Sequence, residues 1–258
     1  MLCKSKAASI LSILAVVLTS LACAALQTAA ASPSTREPTA TVTATPTNTP
    51  RPSPTLRPTQ TPNLTATQQI ENINNEIQSF HEMGYLSSTE GQLVIVDDFR
   101  YEWAQLGWYN RLPLWDSVSD FFLSAHFKWD SALETSNVSG CGFIFGLQPN
   151  DDHYAVFLDR TQVYFLITDH ALGYSKPISP TRGTGRVNFD YPAEADFTLI
   201  VKDAYAYVLV NGELTGEYTL AQSRPPEGKL ALTVLSGTNK DYGTRCEMTN
   251  LHLWIPKQ

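Results

Sequence analysis

The chain has 258 residues, a formal net charge of −7 and 43% hydrophobic residues. From Leu93 onward 13 Lys+Arg stand against 20 Asp+Glu, so that part lacks the basic footprint that nucleic acid requires. No charge run or basic amphipathic stretch points to a membrane surface beyond the N-terminal end.

Lys4 and Lys6 precede the apolar run "AASILSILAVVLTSLACAA", the pattern of an export signal over residues 1–22. Its end, "SLAC", resembles the lipobox of bacterial lipoproteins, which implies lipidation of Cys23. Cleavage near Ala24 or Ala31 and an uncleaved anchor stay open, since the run is just long enough to span a bilayer. All three place the rest of the chain outside the cytoplasm. A disordered linker follows over residues 23–67. Its stretch 32–67 holds 12 Thr and 8 of the 16 Pro. Proline biases that stretch toward polyproline II, with a reach on the order of 110 Å, suited to lifting a domain off a membrane.

A short helix and connector occupy residues 68–92. Ile70, Ile73, Ile77 and Phe80 have helical spacing, and Gly84 offers a stop. The apolar stripe is narrow, leaving docking on the domain and pairing with a second copy both open.

From Leu93 to residue 258 the period changes to two. "SDFFLSAHFKW" puts Phe121, Leu123, Ala125, Phe127 and Trp129 on one face, with Asp120, Ser124, His126 and Lys128 on the other. "CGFIFGLQ", "HYAVFLDR", "DFTLIVKD" and "GKLALTVLSG" alternate likewise. "AYAYVLVNGELTGEYTL" forms two strands around Asn211-Gly212, a strong hairpin signal. Many half-buried strands with frequent turns predict an all-β, antiparallel β-sandwich. In "TRCEMTNLHLWI" the apolar parity breaks between Met248 and Leu251, and a bulge at Thr249-Asn250 would restore it.

Cys3 lies in the signal head and Cys23 at the processing site. Cys141 and Cys246 remain, in an exported chain, and one intramolecular disulfide is predicted between them.

Three stretches bear on chemistry. "YEWAQLGWYNRLPLWD" is rich in aromatic residues. Read as a loop, it gathers Trp108, Tyr109, Asn110, Arg111 and Trp115, combining stacking faces with amide and guanidinium donors able to reach sugar hydroxyls. Trp115, after Pro113 and beside Asp116, is expected to be more exposed than Trp108. The alternative makes Trp103 and Trp108 plugs of the core. Asp151, Asp152 and His153 in "NDDH" could hold a cation, calcium rather than zinc given their oxygens, although Asn and Asp also dominate ordinary turns. No cofactor is otherwise expected. Finally, a retaining glycosidase needs two carboxyls about 5 Å apart. The nearest approach, Glu194 and Asp196 in "EADFTL", is followed only by apolar or hydroxyl residues.

"GCGFIFG", "HYAVFLDR", "DFTLIVKDAYAYVLVNGELTGEYTL", "GKLALTVLSG" and "CEMTNLHLW" together resemble the concanavalin A-like lectin/glucanase superfamily. Within it, the chain is similar to laminin-G-like and family-16-hydrolase-like extracellular domains of bacteria. The resemblance implies a jelly-roll sandwich. Met248-Thr249-Asn250-Leu251 departs from the family pattern by lacking an acidic residue before Asn250. The expectation is a cell-surface, non-catalytic binding module for a glycan or other envelope polymer, attached to the membrane only through its N-terminal segment. A structural or protein-interaction domain is the alternative, and a glycoside hydrolase-like enzyme the third.

Overall fold

The computed structural model describes residues 64–136 and 138–257. The signal segment, Cys23 and the linker up to residue 63 lie outside the described residues. The first elements are α1 (Leu64–Glu82), β1 (Gly91–Ile95), β2 (Phe99–Trp103), β3 (Trp108–Tyr109), β4 (Leu112–Val118) and β5 (Phe121–Ser131). Next come β6 (Gly140–Leu147), β7 (His153–Leu158), β8 (Val163–Asp169), β9 (Tyr174–Pro177) and β10 (Arg182–Gly183). The chain ends with β11 (Ala193–Lys202), β12 (Tyr205–Val210), β13 (Glu213–Thr219), β14 (Gly228–Ser236) and β15 (Thr244–Pro256).

Two antiparallel sheets form the sandwich. The eight-stranded sheet runs β1-β15-β5-β11-β12-β13-β10, with β2 also on β15. The seven-stranded sheet runs β3-β14-β6-β7-β8-β9, with β4 also on β14. Alternation along each strand sends one set of side chains inward. Phe121, Leu123, Phe127 and Trp129 of β5 thus meet Cys141, Phe143 and Phe145 of β6 in one buried core. The Phe127 ring lies 5.2 Å from Phe143 and 4.9 Å from Phe197. Gly142 shows why "GCGF" needs its second glycine: a Cβ there would sit 2.7 Å from Phe157 Cδ1, closer than side chains approach.

Sequence signals locate the remaining features. Asn211 and Gly212 have φ of 52° and 79° between β12 and β13, the left-handed pair that a two-residue hairpin turn demands. In β15 the register slips between Thr249 and His252, with Asn250 at φ 53°, so Met248, Leu251 and Leu253 all reach the core. The disulfide joins Cys141 of the seven-stranded sheet to Cys246 of the eight-stranded sheet, with Cα atoms 5.7 Å apart.

The helix starts at Leu64, earlier than residue 68, and docks on the sandwich. Ile73, Ile77 and Phe80 are buried against Phe122, Ile200, Leu209 and Trp254 on the outer face of the eight-stranded sheet. Phe80 meets Phe122 edge-on at 5.1 Å. Gly84, at φ 80°, ends the turn, and its carbonyl accepts a hydrogen bond from Lys202 Nζ at 2.9 Å. Ile70, 46% exposed, falls outside this contact.

Candidate functional site

A groove of about 580 Å³ lies on the outer face of the seven-stranded sheet. The aromatic stretch and the Asp-Asp-His turn, separate in sequence, meet there. Trp108, Tyr109 and Arg111 line it together with Asp151 and His153, and Arg111 pairs with Asp151 at 3.1 Å.

Asn110 produces this placement by interrupting the strand. β14 pairs first with β4 and then with the two residues of β3, and Asn110 fills the break. Its Oδ1 accepts from the Val234 N–H at 2.7 Å, and its carbonyl accepts from Thr233 Oγ1 at 2.6 Å. The Asn110 side chain is therefore turned into the sheet, away from the groove, and is buried.

Trp108 and Trp115 reverse the expected order of exposure. Trp108 is 63% exposed on the groove. Trp115 is half-buried, packed against the sandwich core, and borders a separate shallow depression with Pro113 and Asp116. The stretch expected to be a loop is strand from Leu112 to Val118, and a register slip opposite Leu230 and Ala231 breaks its alternation and brings Trp115 to the core side beside Leu230. Trp103 is half-buried against the core and donates its indole N–H to the Trp108 carbonyl at 3.1 Å.

The polar floor is a chain of hydrogen bonds whose directions follow from its ends. His153 Nδ1 lies 2.6 Å from the Asp151 carbonyl, which can only accept, so Nδ1 carries the proton. Nε2 of the neutral ring then accepts from the Tyr109 hydroxyl at 2.7 Å. The Tyr109 oxygen accepts in turn from Thr168 Oγ1, which accepts from Ser175 Oγ, both at 3.0 Å. Burial lowers the His153 pKa, and the Arg111 and Arg224 charges reinforce this. Burial likewise raises the Tyr109 pKa. Both groups thus stay neutral across physiological pH.

Arg224 braces the wall. Its guanidinium reaches Asp152 at 3.0 Å and Asp169 at 2.9 Å and donates to the Thr168 carbonyl. Asp152 also accepts from the His170 backbone N–H at 2.8 Å, the main cause of its lowered pKa. Asp151, Asp152 and His153 therefore turn to three different partners. Among the described residues no group of three or more His, Cys, Asp or Glu side chains is placed to hold a metal ion.

Glu194 and Asp196 lie elsewhere, on β11 of the eight-stranded sheet. Glu194 pairs with Lys128 at 2.5 Å, and that hydrogen-bonded ammonium lowers its pKa. Asp196 holds His126 Nδ1 at 2.8 Å. Asp196 also lines a larger cavity, about 770 Å³, between α1 and the sheet, bordered by Glu76, His126 and His252.

Tyr164, Leu166, Thr168, Tyr174 and Ser175 complete the groove without having stood out in the sequence. One signal was present for them: "HALGYS" exposes Leu172 in a turn, where polar residues are usual, and Tyr174 just after it. Arg224 carried no such signal.

Two antiparallel sheets packed face to face in this order form an all-β jelly-roll sandwich. No family model matches the sequence, and no curated protein matches it. Some solved structures are similar over part of the chain. A carbohydrate-binding module from Bacillus subtilis is 11% identical, with a TM-score of 0.44, over 62% of this chain and 92% of that one. A fructosyltransferase from A. japonicus is 13% identical, TM-score 0.43, over 66% of this chain, which spans only 27% of that one. The catalytic domain of an endo-1,3-beta-glucanase (laminarinase) from Thermotoga petrophila is 11% identical, TM-score 0.39, over 55% of this chain and 66% of that one.

Proposed function

We propose that the sandwich is a non-catalytic glycan-binding module, held outside the cell by its N-terminal segment, and that the groove on the seven-stranded sheet is its binding site. The observation that carries this is Trp108, 63% exposed beside a groove whose floor and wall offer hydroxyl and guanidinium groups. A large exposed ring beside fixed polar groups suits a pyranose, which has an apolar face and a hydroxylated edge. The neutral His153–Tyr109–Thr168–Ser175 chain keeps that floor in one arrangement before any ligand arrives, which reduces the ordering cost of binding.

The non-catalytic part of the proposal is supported by Glu194 and Asp196, which are tied to Lys128 and His126 on the other sheet. Export is supported by the basic-then-apolar sequence of residues 1–22, and attachment by Cys23 at its end. A glycan array probed with the purified protein tests the binding function. Binding that survives Trp108→Ala undiminished, or no binding to any glycan, overturns it. Labelled palmitate entering the wild type but not Cys23→Ser is the expected result for the anchor.

A further inference from the structure

The cavity of about 770 Å³ between α1 and the eight-stranded sheet lies on the opposite side of the sandwich from the Trp108 groove. Its volume falls within the roughly 300–1,000 Å³ of sites for small ligands. Its charges set it apart. Among the described residues the ion-paired carboxylates face Lys or Arg, with two exceptions. Glu76 faces His252, and Asp196 faces His126. Both exceptions line this cavity, and among the described residues no Lys or Arg lines it.

Each histidine has one nitrogen engaged already. His126 Nδ1 lies 2.8 Å from Asp196 Oδ1, and His252 Nδ1 lies 2.8 Å from the Asn250 carbonyl. Both oxygens can only accept, so each Nδ1 carries the proton and Nε2 of each neutral ring is an acceptor. His252 is 7% exposed, and its buried Nε2 has no hydrogen-bond partner. It faces Glu76 Oε2 of α1 at 3.6 Å, beyond hydrogen-bond reach, so two acceptors confront each other without a hydrogen between them. Glu76 is half-exposed and free to turn aside for an entering donor. An ammonium group carries three hydrogens and can serve both acceptors at once.

The rest of the lining is neutral and polar. Asn211 accepts the Asp196 backbone N–H through Oδ1 at 2.9 Å, which leaves its amide hydrogens to donate. Ser124 and Thr198 share one hydrogen at 2.8 Å, which leaves the other for a ligand oxygen. Asn72 adds an amide from α1. Amides and hydroxyls in this mixture suit the hydroxyl groups of a sugar.

We propose that this cavity is a second binding site, separate from the Trp108 groove, for an amino sugar carrying a free primary ammonium group. The ammonium sits between Glu76 and His252, with Asp196 adding negative charge. The sugar hydroxyls pair with Asn72, Asn211 and Ser124.

Isothermal titration of the full chain with four probes tests this: the glucosamine dimer with both amines free, its N,N′-diacetyl form, cellobiose and spermidine. The diacetyl form masks the ammonium, and cellobiose replaces it by hydroxyl. The free-amine dimer should bind at least about tenfold more tightly than either, the effect of one charge-assisted hydrogen bond. Spermidine, with ammonium groups and no hydroxyls, should bind more weakly than the dimer. Glu76→Gln removes one carboxylate, and His126→Lys supplies Asp196 with a full cation. Each should lower affinity for the dimer by about tenfold at an unchanged melting temperature. No binding of the dimer, equal binding of cellobiose or the diacetyl form, or undiminished affinity in either variant overturns the site. Spermidine matching the dimer overturns the amino-sugar assignment. Binding abolished by Trp108→Ala would place the amine in the other groove and overturn it as well.

Discussion

Replacing both Cys141 and Cys246 by alanine should cost about 5–6 kcal/mol of folding stability. The disulfide links β6 of one sheet to β15 of the other across a sequence separation of 105. In the chain-entropy treatment, closing a loop of that length removes about 4.7 kcal/mol of freedom from the unfolded chain. Both cysteines are fully buried among the core side chains, so the smaller alanines add a packing loss of about 1 kcal/mol. The assay is urea denaturation. With a slope of about 2 kcal/mol per molar, the midpoint should fall by about 3 M. Comparing oxidised with reduced wild-type protein isolates the cross-link from the packing loss, and most of the shift should persist. A shift below about 0.5 M would refute the reasoning, as would two free thiols in the oxidised, folded protein by alkylation and mass spectrometry.

Asn110→Ala leaves the buried Val234 N–H without its side-chain acceptor and should cost about 1–3 kcal/mol by denaturant melting. Ile77→Ala removes a buried anchor of α1 and should destabilise by about 2–4 kcal/mol, seen as faster amide hydrogen exchange in residues 67–82. The lowered pKa of His153 gives stability a pH dependence of defined sign. The unfolded chain takes up a proton near pH 6.5 and the folded chain only below that. The contribution is complete above about pH 6.5 and is lost as the pH falls toward the folded value. Urea midpoints across that window should slope less in His153→Gln than in the wild type.

The sequence made the sandwich legible because most of its strands are long enough for alternation to show. Phe121 to Trp129 displays five inward positions in one run, and Asn211-Gly212 marks its hairpin by backbone chemistry alone. The bulge near Asn250 was legible for the same reason, since one extra residue inverts the parity of everything after it. The helix stripe at Ile73, Ile77 and Phe80 was visible, but not what it docks on, because a stripe does not specify its cover. Around the groove the signals fail in a definite way. β3 has two residues and β4 begins after a break, too little alternation to fix which face Trp108 or Trp115 takes. The break depends on Asn110 replacing a backbone partner of Val234, a contact between positions 124 apart in sequence. Arg224 reaches Asp169 over 55 positions. Contacts of that span leave no periodic trace.

The claim on which the account depends is that the ligand sits on the seven-stranded sheet against Trp108. Isothermal titration of wild type and Trp108→Ala with the strongest glycan from the array tests it most directly, with the melting temperature of each protein measured alongside. The indole is 63% exposed, so its loss should alter folding stability by less than about 0.5 kcal/mol. A ring withdrawn from a stacked sugar costs about 1–1.5 kcal/mol, a loss in affinity of about five- to tenfold. The account predicts that loss at an unchanged melting temperature. Equal affinities in the two proteins, or a loss that appears only with a large fall in melting temperature, would contradict it.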